Sequence, residues 1–512
     1  LATDVEAFLK RFDRAKKNRE KIAPVVDEAY EFAVPLRESV YSDGSTYRAR
    51  TERLFDSTAP GAVQDLGSEM VDDIWPADSK PFELIAGRDV PAAEHEMVNK
   101  ALEEVTEEII LTVNNSNFRA VAGEAMCDWA IGTGFILPET GDAVEPLRNR
   151  CIPLSEALPD TGPHDTIDAL FRQVEVRAGD VAARWPNATL TQQIEDKAKS
   201  SPDEMLKFAE GQWRDWSVKG TETWRYGCVH IAEKLAIDEG EYSGSGSKPF
   251  VDFSYMRLPR HAVGRGPVQI ALPDIKSLNL AVEMLLEAGD LGIGGLFTAE
   301  DDGVMNLDNI TLESRTIVPY AKGSAGLKRV DTAVDVRFAD YLVKDLRESV
   351  RHILLGDDLG PVQGTPPSAT EVLERKARRA RRRAGPYSRL VVELLFQYVR
   401  RVAYVLREQG RIKLPAIDGR LVVFRPLSPI TRAQAQDEIL RYARYLEMGN
   451  SLFGPQQVSL YEDAQQGLGF LREKWGAPAS TVRPAVERKQ LAAAIAAMQA
   501  LGQQKQISAP SA

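Results

Sequence analysis

The sequence predicts an α+β chain, mainly α-helical, and three observations carry that prediction. Apolar residues recur at three- and four-residue spacing through most of the first 130 residues and again beyond residue 270. Between these regions, segments such as Pro249-Phe-Val-Asp-Phe-Ser-Tyr255 alternate at period two, as half-buried strands do. Finally, two helical stretches of matched length flank a polar, β-prone excursion at 296–334, the pattern of an antiparallel helix pair with a projecting tip.

The elements follow in order. Phe55 to Trp75 places Phe55, Val63, Leu66, Met70, Val71 and Ile74 near helical spacing, and Pro76 stops the pattern. Pro91 to Val113 and Asn117 to Ile131 read as the next two helices. Gly132 to Asp142 reads as a strand and turn, and Leu170 to Val176 and Trp224 to Ile231 as strands. Leu190 to Gln212 is expected to be a helical insertion, and Gly244-Ser-Gly-Ser-Lys248 a flexible connector.

Asp274 to Ala288 is an amphipathic helix with Ile275, Leu278, Ala281, Val282, Met284 and Leu285 on its apolar side. Asp335 to Leu355 is its counterpart, with Phe338, Tyr341, Leu342, Leu346, Val350, Ile353 and Leu354 apolar. Its other side carries Lys344, Arg347 and Arg351, stacked in one stripe by their spacing. The excursion between the two helices begins with Glu300, Asp301, Asp302 and Asp308, with no basic residue among them.

A Gly/Pro-rich loop follows, Gly356-Asp-Asp-Leu-Gly-Pro-Val-Gln-Gly-Thr-Pro-Pro367. Gly356, Gly360 and Gly364 free the backbone, while Pro361, Pro366 and Pro367 fix it locally. Ser368 and Glu371 then form a capping box for a long helix. That helix is expected to kink at Gly385-Pro386 and to resume through Arg407. Its first half is basic at seven of nine positions from Arg375 to Arg383, including Arg375, Lys376, Arg378, Arg379 and Arg382. Arg411 to Pro426 reads as a hairpin around Asp418-Gly419, Thr431 to Met448 and Gln490 to Leu501 as further helices, and Gly502 to Ala512 as a polar tail.

Composition narrows the function classes. The 512 residues suffice for two to four structural units, and the net charge is −11. A basic helix on an acidic body suggests contact with a polyanion at one place only. Three cysteines, Cys127, Cys151 and Cys228, are too few and too scattered for a disulfide framework or a zinc site. The opening Leu1-Ala-Thr-Asp-Val-Glu has no signal-peptide pattern and, lacking Met, is expected to be a trimmed start. No phosphate loop, dinucleotide fingerprint, zinc-protease motif or nucleophile elbow is present, so no catalytic residue, metal or cofactor is expected, and no membrane span.

The order of these features resembles the portal proteins, or head-to-tail connectors, of tailed bacteriophages, most closely those of short-tailed phages. Three stretches carry the likeness: Asp56-Ser-Thr-Ala-Pro-Gly-Ala with Leu66, Ile74-Trp75-Pro76 and Phe82-Glu-Leu84; Gly264-Arg-Gly-Pro267 through Ala271-Leu-Pro-Asp274 and Leu278; and Thr370-Glu-Val372 through Arg375, then Gly385, Leu390 and Glu393. The resemblance implies a wing at 1–272, a first stem helix at 273–295, a clip at 296–334 and a second stem helix at 335–355. It implies a tunnel loop at 356–367, a kinked helix and crown at 368–489, and a C-terminal helix and tail at 490–512.

By the same resemblance, the subunits would form a homo-oligomeric ring, typically a dodecamer, at a capsid vertex of the virion, assembled in the host cytoplasm. Double-stranded viral DNA would be packaged and ejected through it. Gly356, Gly360, Pro361, Gln363, Gly364, Pro366 and Pro367 would line the channel. Lys344, Arg347, Arg351 and the 375–382 cluster would face the channel or a neighbouring subunit. Glu300, Asp301, Asp302 and Asp308 would meet the terminase motor and later the tail adaptor proteins. Major capsid and scaffolding proteins complete the expected partners. A different reading stays open, a helical nucleic-acid-binding protein that forms no ring and uses Arg375–Arg383 alone.

Overall fold

The structure is a computed structural model that describes residues 4–35, 37, 53–91, 94–294, 296–299, 327–330, 336–354, 383–427, 429–475 and 490–491. It is an α+β fold of two compact units. In chain order the elements are α1 (Val5–Ala33), α2 (Thr58–Ile74), β1 (Phe82–Ala86), α3 (His95–Asn114), α4 (Phe118–Ile131), β2 (Thr133–Thr140), β3 (Leu147–Cys151), β4 (Leu158–Thr161) and β5 (Ile167–Arg177). They continue with α5 (Val181–Arg184), α6 (Gln192–Ser200), β6 (Met205–Arg214), β7 (Thr223–His230), β8 (Leu235–Ser243), β9 (Val251–Ser254), α7 (Pro267–Gly294), β10 (Leu296–Ala299), β11 (Leu327–Val330) and α8 (Val336–Ile353). The last are α9 (Gln397–Glu408), β12 (Val422–Pro426), α10 (Pro429–Phe453), α11 (Pro455–Tyr461) and α12 (Ala464–Trp475).

The first unit takes residues 1–71, 118–139 and 149–397. Its largest sheet has the strand order β4-β5-β6-β7-β8, antiparallel throughout. Helix α1 begins at Asp4, whose carboxylate accepts from the Ala7 amide at 3.1 Å. The helix buries Phe8 and Phe12 edge-on against Phe171, with Phe8 also meeting Trp213. A second layer of the sheet packs Val181, Trp185, Ile194, Phe208 and Ile237 together. The smaller sheet has the order β3-β2-β9, and the Gly264 amide, on the approach to α7, donates to the Thr133 hydroxyl of β2 at 2.9 Å.

The expected helix at Leu190–Gln212 is only half helix. Residues from Met205 onward form β6, a central strand. The sequence hides it because polar Glu210 and Gln212 occupy buried strand positions, blurring the apolar alternation. Glu210 is admissible there because Arg172 on β5 donates Nε to it at 2.7 Å. Burial works against the Glu210 carboxylate, but the Arg172 and Arg150 guanidiniums hold it below the usual range. The expected flexible connector at 244–248 is likewise packed. Ser247 is fully buried and donates to the Glu222 carbonyl at 3.0 Å, and the Lys248 ammonium lies over Phe250.

The second unit takes residues 72–117, 140–148 and 398–512. Its core is aromatic. Phe82 on β1 stacks on Phe424 of β12 with centroids 5.2 Å apart, while Trp75 meets both Phe82 and Tyr398. The Trp75 indole donates to Asn114 at 2.7 Å, which satisfies its one polar atom in a buried setting. The turn at Asp418-Gly419 exists, with Gly419 at φ 74 and Asp418 accepting from the Arg420 and Leu421 amides. The expected hairpin does not: β12 pairs with β1, Phe82 opposite Pro426 and Ala86 opposite Val422. The aromatic stack across that pair decides the partner.

Candidate functional site: the helix pair and its anchor

The helix pair stands where the spacing predicts it, with α7 longer than expected. It begins at Pro267, where proline's missing amide costs nothing because first-turn amides have no intrahelical acceptor, and it continues through Pro273. The preceding Gly264-Arg-Gly-Pro267 turn fixes this start. The Gly266 amide donates to the Ile131 carbonyl at 2.9 Å, and a Cβ at 266 would lie 2.0 Å from the Ala130 oxygen. Val268, Ala271, Ile275, Leu278 and Val282 form the buried stripe of α7. Helix α8 buries Val343 and Val350, and Leu354 just past its end is buried too, while Tyr341 and Leu342, expected on its apolar side, are exposed.

The helices run antiparallel. Ser349, near the end of α8, donates to Asp274, near the start of α7, at 2.7 Å. The strands between them, β10 and β11, also pair antiparallel, Leu296 opposite Val330 and Ala299 opposite Leu327. Among the described residues, the order from 267 to 353 is therefore helix, strand, strand, helix.

An anchor holds this pair to the start of α2. Asn279 of α7, itself buried, accepts from the Phe55 amide at 2.7 Å and donates to the Arg53 carbonyl at 2.8 Å. Arg347 of α8 donates Nε and Nη2 to one oxygen of Asp56 at 2.9 and 2.7 Å. The other Asp56 oxygen accepts from the Thr58 amide at 2.8 Å and so caps α2. Burial works against the Asp56 carboxylate, but the hydrogen bonds from Thr58 and Arg347 outweigh it, leaving its pKa below the ordinary aspartate value.

The basic stripe therefore divides. Arg347 is committed to Asp56, Lys344 pairs with Asp340 one turn earlier at 2.8 Å, and Arg351 is exposed. The last member of the 375–383 run, Arg383, is buried and ion-paired with Glu69 of α2. Burial pulls its guanidinium below the ordinary value. Arg375, Lys376, Arg378, Arg379 and Arg382 lie outside the described residues, as do Glu300, Asp301, Asp302 and Asp308. So do the loop residues Gly356, Gly360, Pro361, Gln363, Gly364, Pro366 and Pro367.

The sequence singled out Glu393 by the resemblance but gave it no partner. Residues 383–390 are helical through Gly385-Pro386, and regular geometry is interrupted later, by a π-helical turn at Val391–Phe396. There Glu393 accepts from the Ser254 amide at 2.9 Å and from the Arg389 guanidinium at 2.9 Å, with Arg257 at 3.3 Å. Strand β9 is an edge of its sheet, and Glu393 occupies a donor that would otherwise lack a partner. Besides that resemblance, its signal in the sequence is an acid set among the apolar residues Leu390 to Phe396.

Elsewhere the first unit holds a buried polar knot. Asp128 of α4 accepts from the Tyr30 hydroxyl and from both Nε and Nη2 of Arg37. Burial pushes up the Cys127 and Cys151 thiols nearby, so they are poor nucleophiles. Among the described residues, no three His, Cys, Asp or Glu side chains gather as metal ligands would. No described helix is long and apolar enough to cross a membrane.

Residues 5–482 match the family described as bacteriophage head to tail connecting protein. No curated protein matches the chain. Among solved structures, a chain from the virion of a native gene transfer agent particle is similar at 9% identity and a TM-score of 0.37, over 87% of this chain and 92% of that one.

Proposed function

The chain belongs to the bacteriophage head to tail connecting proteins, and we propose that it acts there as the portal, a closed ring of identical subunits, twelve in number, at one capsid vertex. Double-stranded viral DNA is drawn in through the ring during packaging and leaves through it at ejection. The ring holds the terminase motor first and the tail adaptors afterwards, and it contacts the major capsid and scaffolding proteins. The observation that carries this reading is the helix, strand pair, helix order of 267–353 inside a chain that matches the family over 5–482. The chain itself makes and breaks no bond in this reading.

Each part then has a task. α7 and α8 form the stem wall, and residues 296–334, with Glu300, Asp301, Asp302 and Asp308, meet motor and adaptors. Gly356 to Pro367 forms the constriction. Lys344 and Arg351, the exposed bases of α8, face DNA or the acids of the next subunit, while Arg347 keeps the stem fixed to the body. At −11 per chain, twelve copies carry about −130 charges in total. If the lumen shares that sign, it repels phosphate and lets the polymer slide, whereas an attractive lumen would release counterions and hold it.

Native mass spectrometry and negative-stain imaging of the purified chain test the reading. A ring with a central hole is expected, and a variant shortened within 356–367 is expected to form rings that package or retain DNA poorly. A chain that stays monomeric, with no ring in particles, overturns it. The rival reading, a ring-free nucleic-acid binder using Arg375–Arg383, loses one cation to the Arg383–Glu69 pair. A monomer that binds duplex DNA with steep salt dependence would revive it.

A further inference from the structure

Three guanidiniums converge on one buried carboxylate over the largest sheet. Glu210 of β6 is buried, and Arg172, opposite it on β5, donates Nε to its Oε2 at 2.7 Å. Its Oε1 accepts from the Tyr226 hydroxyl of β7 at 3.2 Å, so both oxygens are served. Two more arginines approach from other elements. Arg184, the last residue of α5, comes no nearer to Glu210 than 3.9 Å. Arg150 of β3 lies close enough for its charge to act on both Glu210 and Arg184. It gives its Nη2 to Glu139, but its Nε is buried without a hydrogen-bond partner. Gln212, two positions along β6 and so on the same face as Glu210, ends in a buried amide oxygen that also has none. The two ends of an amide have the same shape, so that end can present its NH2 instead.

Charge is out of balance as well. Arg172 is committed to Glu210 and Arg150 to Glu139, which leaves Arg184 over. It rests on the Trp185 ring, 5.2 Å from the centroid, with 32% of its side chain exposed. Burial, with Arg172 and Arg150 beside it, outweighs Glu210 and holds its pKa below the ordinary arginine value. Glu156 and Asp238 also lie within electrostatic reach of the cluster, and burial raises both of their pKa values. We propose that this cluster binds one small oxyanion of the phosphate class, held between Arg184 and Arg150 above the Arg172–Glu210 pair. An acceptor from outside relieves the unmet donors, whose burial is costly. Donors arriving from separate elements favour a tetrahedral ion, with oxygens in several directions. A planar carboxylate is already matched by the fork of one guanidinium. Arg172 and Glu210 form the floor of the site, and Arg184, open to solvent, is the residue that meets the ion. The inference does not depend on ring formation.

The test titrates inorganic phosphate into the full chain at fixed ionic strength, read by calorimetry and phosphorus NMR. One saturable site per chain is expected, from which sulfate displaces phosphate and acetate does not. Arg184→Gln is expected to weaken binding about tenfold. Its near-ultraviolet circular dichroism should stay native, because Glu210 keeps its bonds to Arg172 and Tyr226 in the variant. Arg88→Gln, at an exposed arginine of the second unit, is expected to change nothing. Absence of saturable binding overturns the inference. So does binding that Arg184→Gln leaves unchanged, which would be an adventitious ion elsewhere on the chain. Competition by acetate as strong as that by sulfate also overturns it, because a planar carboxylate would then suffice.

Discussion

Arg347 and Asp56 stand 291 positions apart in sequence, yet the guanidinium donates twice to one carboxylate oxygen. The carboxylate is buried and the arginine is partly open to solvent. Removing the arginine leaves a buried charge that keeps only its cap to Thr58. Arg347→Ala is therefore expected to lower stability by about 1–3 kcal/mol, the cost of a charged hydrogen-bond partner left unmet. Urea unfolding measures it, and a double-mutant cycle with Asp56→Asn checks the cause. Additive effects would mean that the two side chains do not act on each other.

The same carboxylate predicts a pH dependence. Its folded pKa lies below the unfolded value, so the unfolded state binds the proton more readily. The stabilisation is complete above the ordinary aspartate value, about 3.9, and is lost as pH falls through the lower folded value. Asp56→Asn is expected to flatten the acid limb of the stability curve below about pH 4. If native and variant curves keep the same slope there, the contribution comes from other carboxylates.

Gly266→Ala is expected to be severe. The new methyl group would lie 2.0 Å from the Ala130 backbone oxygen, at the turn that sets the start of α7. Destabilisation of about 3 kcal/mol or more is expected, read by thermal melting and soluble yield. A variant that melts within a degree of the native chain would show that the turn can open without cost.

Glu393→Ala removes the acceptor for the Ser254 amide. Exchange of that amide is expected to speed at least tenfold, with global stability reduced by about 1–2 kcal/mol. Glu393→Gln keeps an acceptor oxygen and is expected to restore much of the protection. Equal exchange in all three proteins would mean that solvent already reaches the strand edge.

Where the fold was legible, one periodic stripe decided the element. The α2 stripe, the α7–α8 pair and the strand and turn after Ile131 all read directly, because a single buried face fixes the spacing. The resemblance motifs also acquire physical reasons. Asp56 is both cap and ion-pair partner, Trp75 and Phe82 are core of the second unit, and Gly264 and Gly266 sit too close to neighbouring backbone for a Cβ. What stayed hidden was decided at long range. Strand β6 buries Glu210 because Arg172 waits on the next strand, and β12 leaves its neighbouring turn to pair with β1. Arg347 shows the same limit: its stripe was legible from spacing, its partner Asp56 was not.

The two units are interleaved along the chain, which crosses between them five times. β1 is made early, and its partner β12 begins only at Val422. At a ribosomal rate of about 5–20 residues per second, the first strand waits on the order of tens of seconds for its mate. During that interval Phe82 and Leu84 have no β12 to cover them. Newly synthesised chains are thus expected to be open to misassociation over this window, and slowing translation between residues 90 and 420 would lengthen it.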